Sequence, residues 1–334
     1  MTALSPTQQT LELEIEIETE IMEVALNFRA MNTDIELLIY TDQTEKAVTA
    51  SHNVETIFAE TEASLSRFRP TSELSHLNQH GYLEEASPLL YQNVEAALQM
   101  NLLTEGIFDP TILNALEAAG YDRSFELIGG AKATGPHLLS TPGIIANYNN
   151  AQFLKLDSTQ HSIKLPYGTH LDLGGIAKGT TVDRVAEFLR QAGFTNFMIS
   201  AGGDMFLQGV PPQVGAEQGW TVAVQNPIAE TVTGEVLTTL LVSNKAVATS
   251  ATTGRRWLVN GQRRHHLIDP RTGEPTDNGL ASVTAVADSV QMADVMAKTA
   301  LILGPAEVQR RNLLQRAGLT SLLFVTLQGE MITL

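Results

Sequence analysis

Residues 11–21, LELEIEIETEI, alternate strictly between apolar and polar side chains. A period of two predicts a strand with one buried face and a glutamate-rich face in water. The glutamates would also blunt an exposed edge. A helix is the rival reading, because leucine and glutamate are both good helix formers. Residues 25–40 carry two further candidate strands around Met31-Asn32-Thr33. The period then lengthens. Residues 45–62 and 87–105 read as amphipathic helices, the second closing at Gly106. A third begins near Gly179, with Val182, Val185, Ala186 and Leu189 on one face and Gly193 at its end. It is preceded by a short alternating run at 170–173, read as a strand, which Gly174-Gly175 breaks. A strand at 196–200 follows, then Gly202-Gly203-Asp204. Residues 220–225 and 234–242 alternate as a strand pair, and 282–287 is a strand. Residues 290–303, VQMADVMAKTALIL, read as a buried helix, and 322–327 and 331–334 close as strands. No internal repeat or long linker divides the chain. The pattern predicts one compact α+β domain behind a polar, Glu-rich extension at 1–24.

Composition narrows the function. The chain has 334 residues, 43% hydrophobic and 17% charged, as expected for a soluble globular protein. It has no apolar run long enough to span a membrane. Its formal net charge of −16 argues against a nucleic-acid partner. It also means that any phosphate ligand must find local positive charge or a metal. The absence of cysteine excludes disulfides, thiolate metal sites, a cysteine nucleophile and a lipid anchor on cysteine. No basic region followed by an apolar core opens the chain, so a cytoplasmic location is the default expectation.

Three stretches carry chemistry. The glycine turn before the third helix leads to a helix N-terminus, whose free N–H groups and partial positive charge welcome an anion. Lys178 stands at that entrance. The plain alternative is an ordinary packing unit with glycines at its turns. Arg67 and Arg69 flank Phe68, an arrangement that invites an anionic or planar ligand, or else forms a solvated loop. Residues 265–271, HHLIDPR, gather imidazole, carboxylate and guanidinium on a turn-rich segment.

Taken in order, FRAMNT at Phe28, LSRFRPTSEL at Leu65, GIFDPT at Gly106, LDLGGIAKG at Leu171, SAGGD at Ser200, ATS at Ala248, HLIDPRTGEP at His266 and ADVMAKTALILG at Ala293 resemble the FAD:protein FMN transferase family, the ApbE-like proteins. The resemblance runs from about Phe28 to the C-terminus and makes 25–334 the family domain. It implies an α+β fold of antiparallel sheets packed with helices. It implies FAD as donor and a Mg²⁺ ion on the pyrophosphate. The partner would be a flavin-acceptor protein with a Thr or Ser acceptor site, and AMP would leave. Hydrolysis of FAD to FMN and AMP is the alternative reaction.

By the same resemblance, His266 is the general base, positioned by Asp269 and Arg271. Mg²⁺ would be held by Asp294 and a backbone carbonyl, that of Thr181 or, as second choice, of Ala177. Lys178 would face the phosphates. Met31, Phe68, Ile107, Phe108, Asp109, Arg184 and Ile268 would line the flavin nucleotide. Core packing remains the other reading for Met31 and Phe68, and a loop salt bridge for His266.

Two residues depart from the family pattern. Asn32 replaces the glycine of Met-Gly-Thr, a mild change, since asparagine tolerates a glycine-like backbone. Lys298 occupies the place of the threonine that follows the metal aspartate by one helical turn. Thr299 lies about 140° round from Asp294, whereas Lys298 is only about 40° past a full turn and shares its face. Lys298 therefore either pairs with Asp294 as an ordinary helix ion pair or puts an ammonium where the metal belongs, and there it would bind the cofactor by supplying positive charge near the pyrophosphate. The second case leaves a flavin-binding protein with a degraded metal site as a further reading.

Overall fold

The computed structural model describes residues 21–128, 150–212, 219–229, 235–259 and 262–334. Of the alternating stretch 11–21 only Ile21 falls within them. The strand expected at 11–21 and the extension expected at 1–24 lie outside the described residues as far as residue 20.

The backbone of the fold is an eight-stranded antiparallel sheet. Its spatial order is Met22–Ala30, Thr33–Thr41, Phe197–Ala201, Asp204–Gln208, Lys245–Ala251, Leu280–Ala287, Ser321–Thr326 and Met331–Thr333. The first two strands form a hairpin whose two-residue turn has positive φ at Met31 (51°) and Asn32 (59°). Such turns match the twist of a hairpin, and asparagine takes that conformation readily while methionine does so at a cost. Every residue of Leu280–Ala287 is buried, in keeping with its run of small and β-branched side chains.

Three long helices cover the sheet: Thr44–Leu65, Ala177–Gln191 and Val290–Leu303. Their buried faces, including Val54, Phe58, Val182, Leu189, Met296 and Leu301, close over Ile35, Leu37, Ile199, Val283 and Phe324 in one core. The last two helices touch almost backbone to backbone. A Cβ on Gly179 would stand 2.8 Å from the Cα of Gln291, so only glycine fits that crossing. Asp183 then reaches across and accepts the backbone N–H groups of Val290 and Gln291 at 2.7 and 2.9 Å. These are helix N-terminal donors that lack intrahelical partners. Burial pushes the Asp183 carboxyl up to about 6 despite those bonds. Helices Glu73–His80 and Pro88–Leu103 pack a second core with Leu74, Leu77, Leu90 and Ile163.

The pattern misreads one stretch. Residues 170–173 do alternate in burial, yet they form no strand. Their backbone is satisfied by a side chain instead of a ladder. Leu171 donates its N–H to Asn78 Oδ1 at 2.7 Å, and Asn78 Nδ2 donates to the Leu171 carbonyl at 2.9 Å. The Asp172 N–H goes to the Pro110 carbonyl. This bracing delivers the chain to the glycine turn and the start of the Ala177–Gln191 helix. No helix among the described residues is long and apolar enough to cross a membrane.

Candidate active site

At one end of the sheet lies a cavity of about 840 Å³. Turns and element ends converge there: Met31 to Thr33, Ile107 to Asp109, Gly174-Gly175, the first turn of the Ala177–Gln191 helix, and Thr249 to Ala251. Residues 266–268 and the inner face of Val290–Leu303 complete it.

One wall is charged. Lys178 pairs with Asp204, the first residue of its strand, and stands 3.9 Å from Asp294 Oδ2. Lys298 pairs with Asp294 Oδ1 one turn along the same helix. Both lysine side chains are largely covered, at 18% and 16% exposure, and Asp294 is buried. Burial pulls the Lys178 ammonium down to about 8, against the pull of Asp294 and with the push of Lys298 and Arg255. The stem of Lys298 runs past Gly175, where a Cβ would lie 3.7 Å from Cδ and Cε. Its ammonium is thus directed into the cavity, not along the protein surface.

A second part of the lining is aromatic and apolar. Phe68 is partly exposed at 37%, and its ring meets Tyr121 edge-on, with centroids 5.9 Å apart. Tyr121 stacks on Trp257 at 5.4 Å. Ile107, Phe108 and Ile268 are buried around it. The Arg67 guanidinium lies 4.1 Å from the Phe68 centroid, and its charge is met by Asp172 at 2.6 Å. Arg69 pairs with Glu62. Neither arginine flanking Phe68 is thus a free anion receptor.

His266 lines the cavity, with Nδ1 buried and without a hydrogen-bond partner among the described residues. Burial lowers its pKa to about 3, and the positive charges of Arg255, Lys298, His265 and Lys178 push the same way. The imidazole is therefore neutral at physiological pH. His265 is engaged elsewhere. Its Nε2–H donates to the Thr276 carbonyl at 2.9 Å, and its Nδ1 accepts the Leu267 N–H at 3.3 Å.

Several expected site residues are not brought to this cavity. Asp269 and Arg271 pair with each other at 2.6 Å and close their own turn, making no hydrogen bond to His266. Arg184 pairs with Glu60 at 3.0 Å and lines a separate small cavity with Thr181. Thr181 donates its hydroxyl to the Ala177 carbonyl at 2.6 Å, so that oxygen is already occupied within the helix. Asp109 does line the main cavity, while its carboxylate also accepts from the N–H and hydroxyl of Thr111. Conversely, Asp204, Arg255, Asp172 and Tyr121 belong to the cavity without having been singled out. Asp204 was visible only as the end of SAGGD, and nothing local marks Tyr121 or Arg255.

These residues do not make a fitting Mg²⁺ site. Mg²⁺ demands a near-octahedral set of oxygen ligands. The expected ligand Asp294 has an ammonium in contact with Oδ1, while Oδ2 is buried, has no hydrogen-bond partner among the described residues and stands 3.9 Å from a second ammonium. A divalent cation there would face two like charges.

A large cavity with a planar apolar wall, a wall of paired lysines joined by Arg255, and a neutral imidazole suits a ligand that is both planar and anionic, as nucleotides are. The ApbE family sequence model matches residues 31–323, and the chain belongs to that family. Relatives named FAD:protein FMN transferase include those of Haemophilus influenzae and Vibrio cholerae. The first is 29% identical, with 78% of this chain and 75% of the relative covered. The second is also 29% identical, covering 77% and 74%. The crystal structure of the ApbE protein of Thermotoga maritima superposes with a TM-score of 0.74 at 26% identity, covering 93% of this chain and 96% of that one. The Vibrio cholerae flavin transferase ApbE gives a TM-score of 0.77 at 23% identity over 94% and 97%, a likeness of fold.

Proposed function

We propose that this chain is an FAD:protein FMN transferase acting on a Thr or Ser hydroxyl of an acceptor protein. The isoalloxazine ring lies against the Phe68 and Tyr121 wall. The pyrophosphate meets Lys178 at the helix entrance. The acceptor hydroxyl oxygen forms a bond to the FMN phosphorus, and the P–O bond to the AMP half breaks. AMP leaves carrying the bridging oxygen, and the hydroxyl proton passes to the neutral imidazole of His266. A base with a pKa near 3 is poorly matched to neutral pH. Burial is the main cause of that low value; arrival of the pyrophosphate raises it, because its negative charge offsets the cations that add to the effect.

The observation that carries the reading is the juxtaposition, in one cavity, of a buried neutral histidine with a lysine-bearing helix N-terminus and an aromatic wall. The implied Mg²⁺ is left out of this sequence of events, because the residues around Asp294 do not fit it. Incubating the chain with FAD and a flavin-acceptor protein, followed by mass spectrometry and nucleotide analysis, tests the reaction. The expected products are acceptor-bound FMN and an equal amount of AMP. Free FMN with AMP, and no labelled acceptor, would instead identify water as the nucleophile.

A further inference from the structure

Along the charged wall, four side chains from three elements alternate in sign: Asp204, Lys178, Asp294 and Lys298. The row is neutral by itself and faces the cavity. Each ammonium carries three donors, and its carboxylate partners leave donors over. Arg255 adds a further positive charge on the same cavity. We propose that Lys298, together with Lys178, is a resident cation pair that receives the FAD pyrophosphate in place of a divalent metal, with Asp294 serving to hold both ammoniums. The inference rests on the FAD reading above and specifies how that site neutralises its substrate.

Three observations support it. The Lys298 stem is laid against Gly175, a position that aims the ammonium at the cavity and keeps it from solvent. Asp294 is buried between the two ammoniums, its Oδ1 in contact with Lys298 and its Oδ2 3.9 Å from Lys178 with no hydrogen-bond partner among the described residues, so its charge offsets theirs before any ligand arrives. His266 lines the same cavity, and its proton affinity, lowered first by burial, is lowered further by the charges of Arg255, Lys298, His265 and Lys178. A low-dielectric cavity with a positive field binds a dianion more strongly than the same charges would in water.

The test is an FAD titration of the full chain, followed by flavin fluorescence, once with EDTA and once with excess Mg²⁺. The wild-type chain is expected to bind equally well in both. Lys298→Met keeps the length of the side chain and removes its charge. It should bind FAD about 10- to 100-fold more weakly in EDTA, the loss of one charge-assisted contact. Lys298→Arg should retain most of the affinity. Binding by the wild-type chain only in the presence of Mg²⁺ overturns the proposal, and needs no variant to do so. Unchanged affinity in a folded Lys298→Met chain also overturns it. No FAD binding by the wild-type chain in either buffer would overturn the FAD reading itself, and the resident pair with it.

Discussion

Two acid–cation pairs stand out in this chain, and they do different things. Asp294–Lys298 lies on one helix face, buried, and turned into the cavity. Asp269–Arg271 lies on a turn, with the guanidinium 47% exposed, and closes that turn on itself. In the linear sequence the second pair looks richer, sitting within five residues of His266 in the densest cluster of functional groups. In space, the segment splits. His266 and Ile268 face the cavity, while Asp269 and Arg271 serve the backbone. Density of chemistry along a chain does not say which side of a turn faces the ligand.

The largest expected effect sharpens that split from the His266 side. His266→Ala should lower the transfer rate by about 10²- to 10⁴-fold while leaving FAD affinity nearly intact. Stopped-flow or product assays against equilibrium titration separate the two quantities. His265→Ala should slow transfer far less, because His265 is bonded to Thr276 and Leu267.

Next in size is Asp294→Ala. It leaves two buried ammoniums without their shared carboxylate, and should cost about 3–5 kcal/mol of stability in urea unfolding. Gly179→Ala should cost about 1–3 kcal/mol, because its Cβ has to push the backbone at Gln291 away. It also shifts the helix that carries Lys178 relative to the one that carries Asp294. FAD affinity should therefore fall with stability, and an unchanged affinity would show that the spacing of these two helices does not matter to the ligand.

The pH dependence of stability tests the surroundings of His266. Its pKa is near 3 in the folded chain and near 6.5 unfolded. The unfolded chain binds the proton more tightly, so this group's contribution is complete above about pH 6.5 and is lost as pH falls toward 3. The slope from this one residue approaches about 1.4 kcal/mol per pH unit in that window. His266→Gln should flatten it, and an unaltered acid profile would mean that the imidazole is not desolvated. The smallest effect is Arg271→Ala. As a half-exposed partner it should cost at most about 1 kcal/mol and leave flavin affinity unchanged.

Much of the fold was legible because burial writes a period into the sequence. The Val290–Leu303 helix and the Leu280–Ala287 strand sit where the apolar runs place them. Residues 170–173 were not legible, since alternation records burial and not hydrogen bonding, and the partner of that backbone is Asn78, far away in sequence. At the site, the shared face of Asp294 and Lys298 followed from helix geometry alone. The direction of the Lys298 ammonium did not, because it is set by how the Val290–Leu303 helix packs beside Gly175, a segment distant in sequence. Tyr121, Trp257 and Arg255 carried no local signal. Tyr121 and Trp257 come together only through packing between distant segments, and Arg255 joins the cavity in the same way. Arg67 misled in the other direction, its charge being taken by Asp172.

The measurement that bears most directly on the central claim is a crystal structure of the chain with FAD, grown in excess Mg²⁺. The account predicts the pyrophosphate against the ammoniums of Lys178 and Lys298, Asp294 still paired with Lys298, and the isoalloxazine on the Phe68 wall. A divalent ion on Asp294 with Lys298 swung out of the cavity would contradict it.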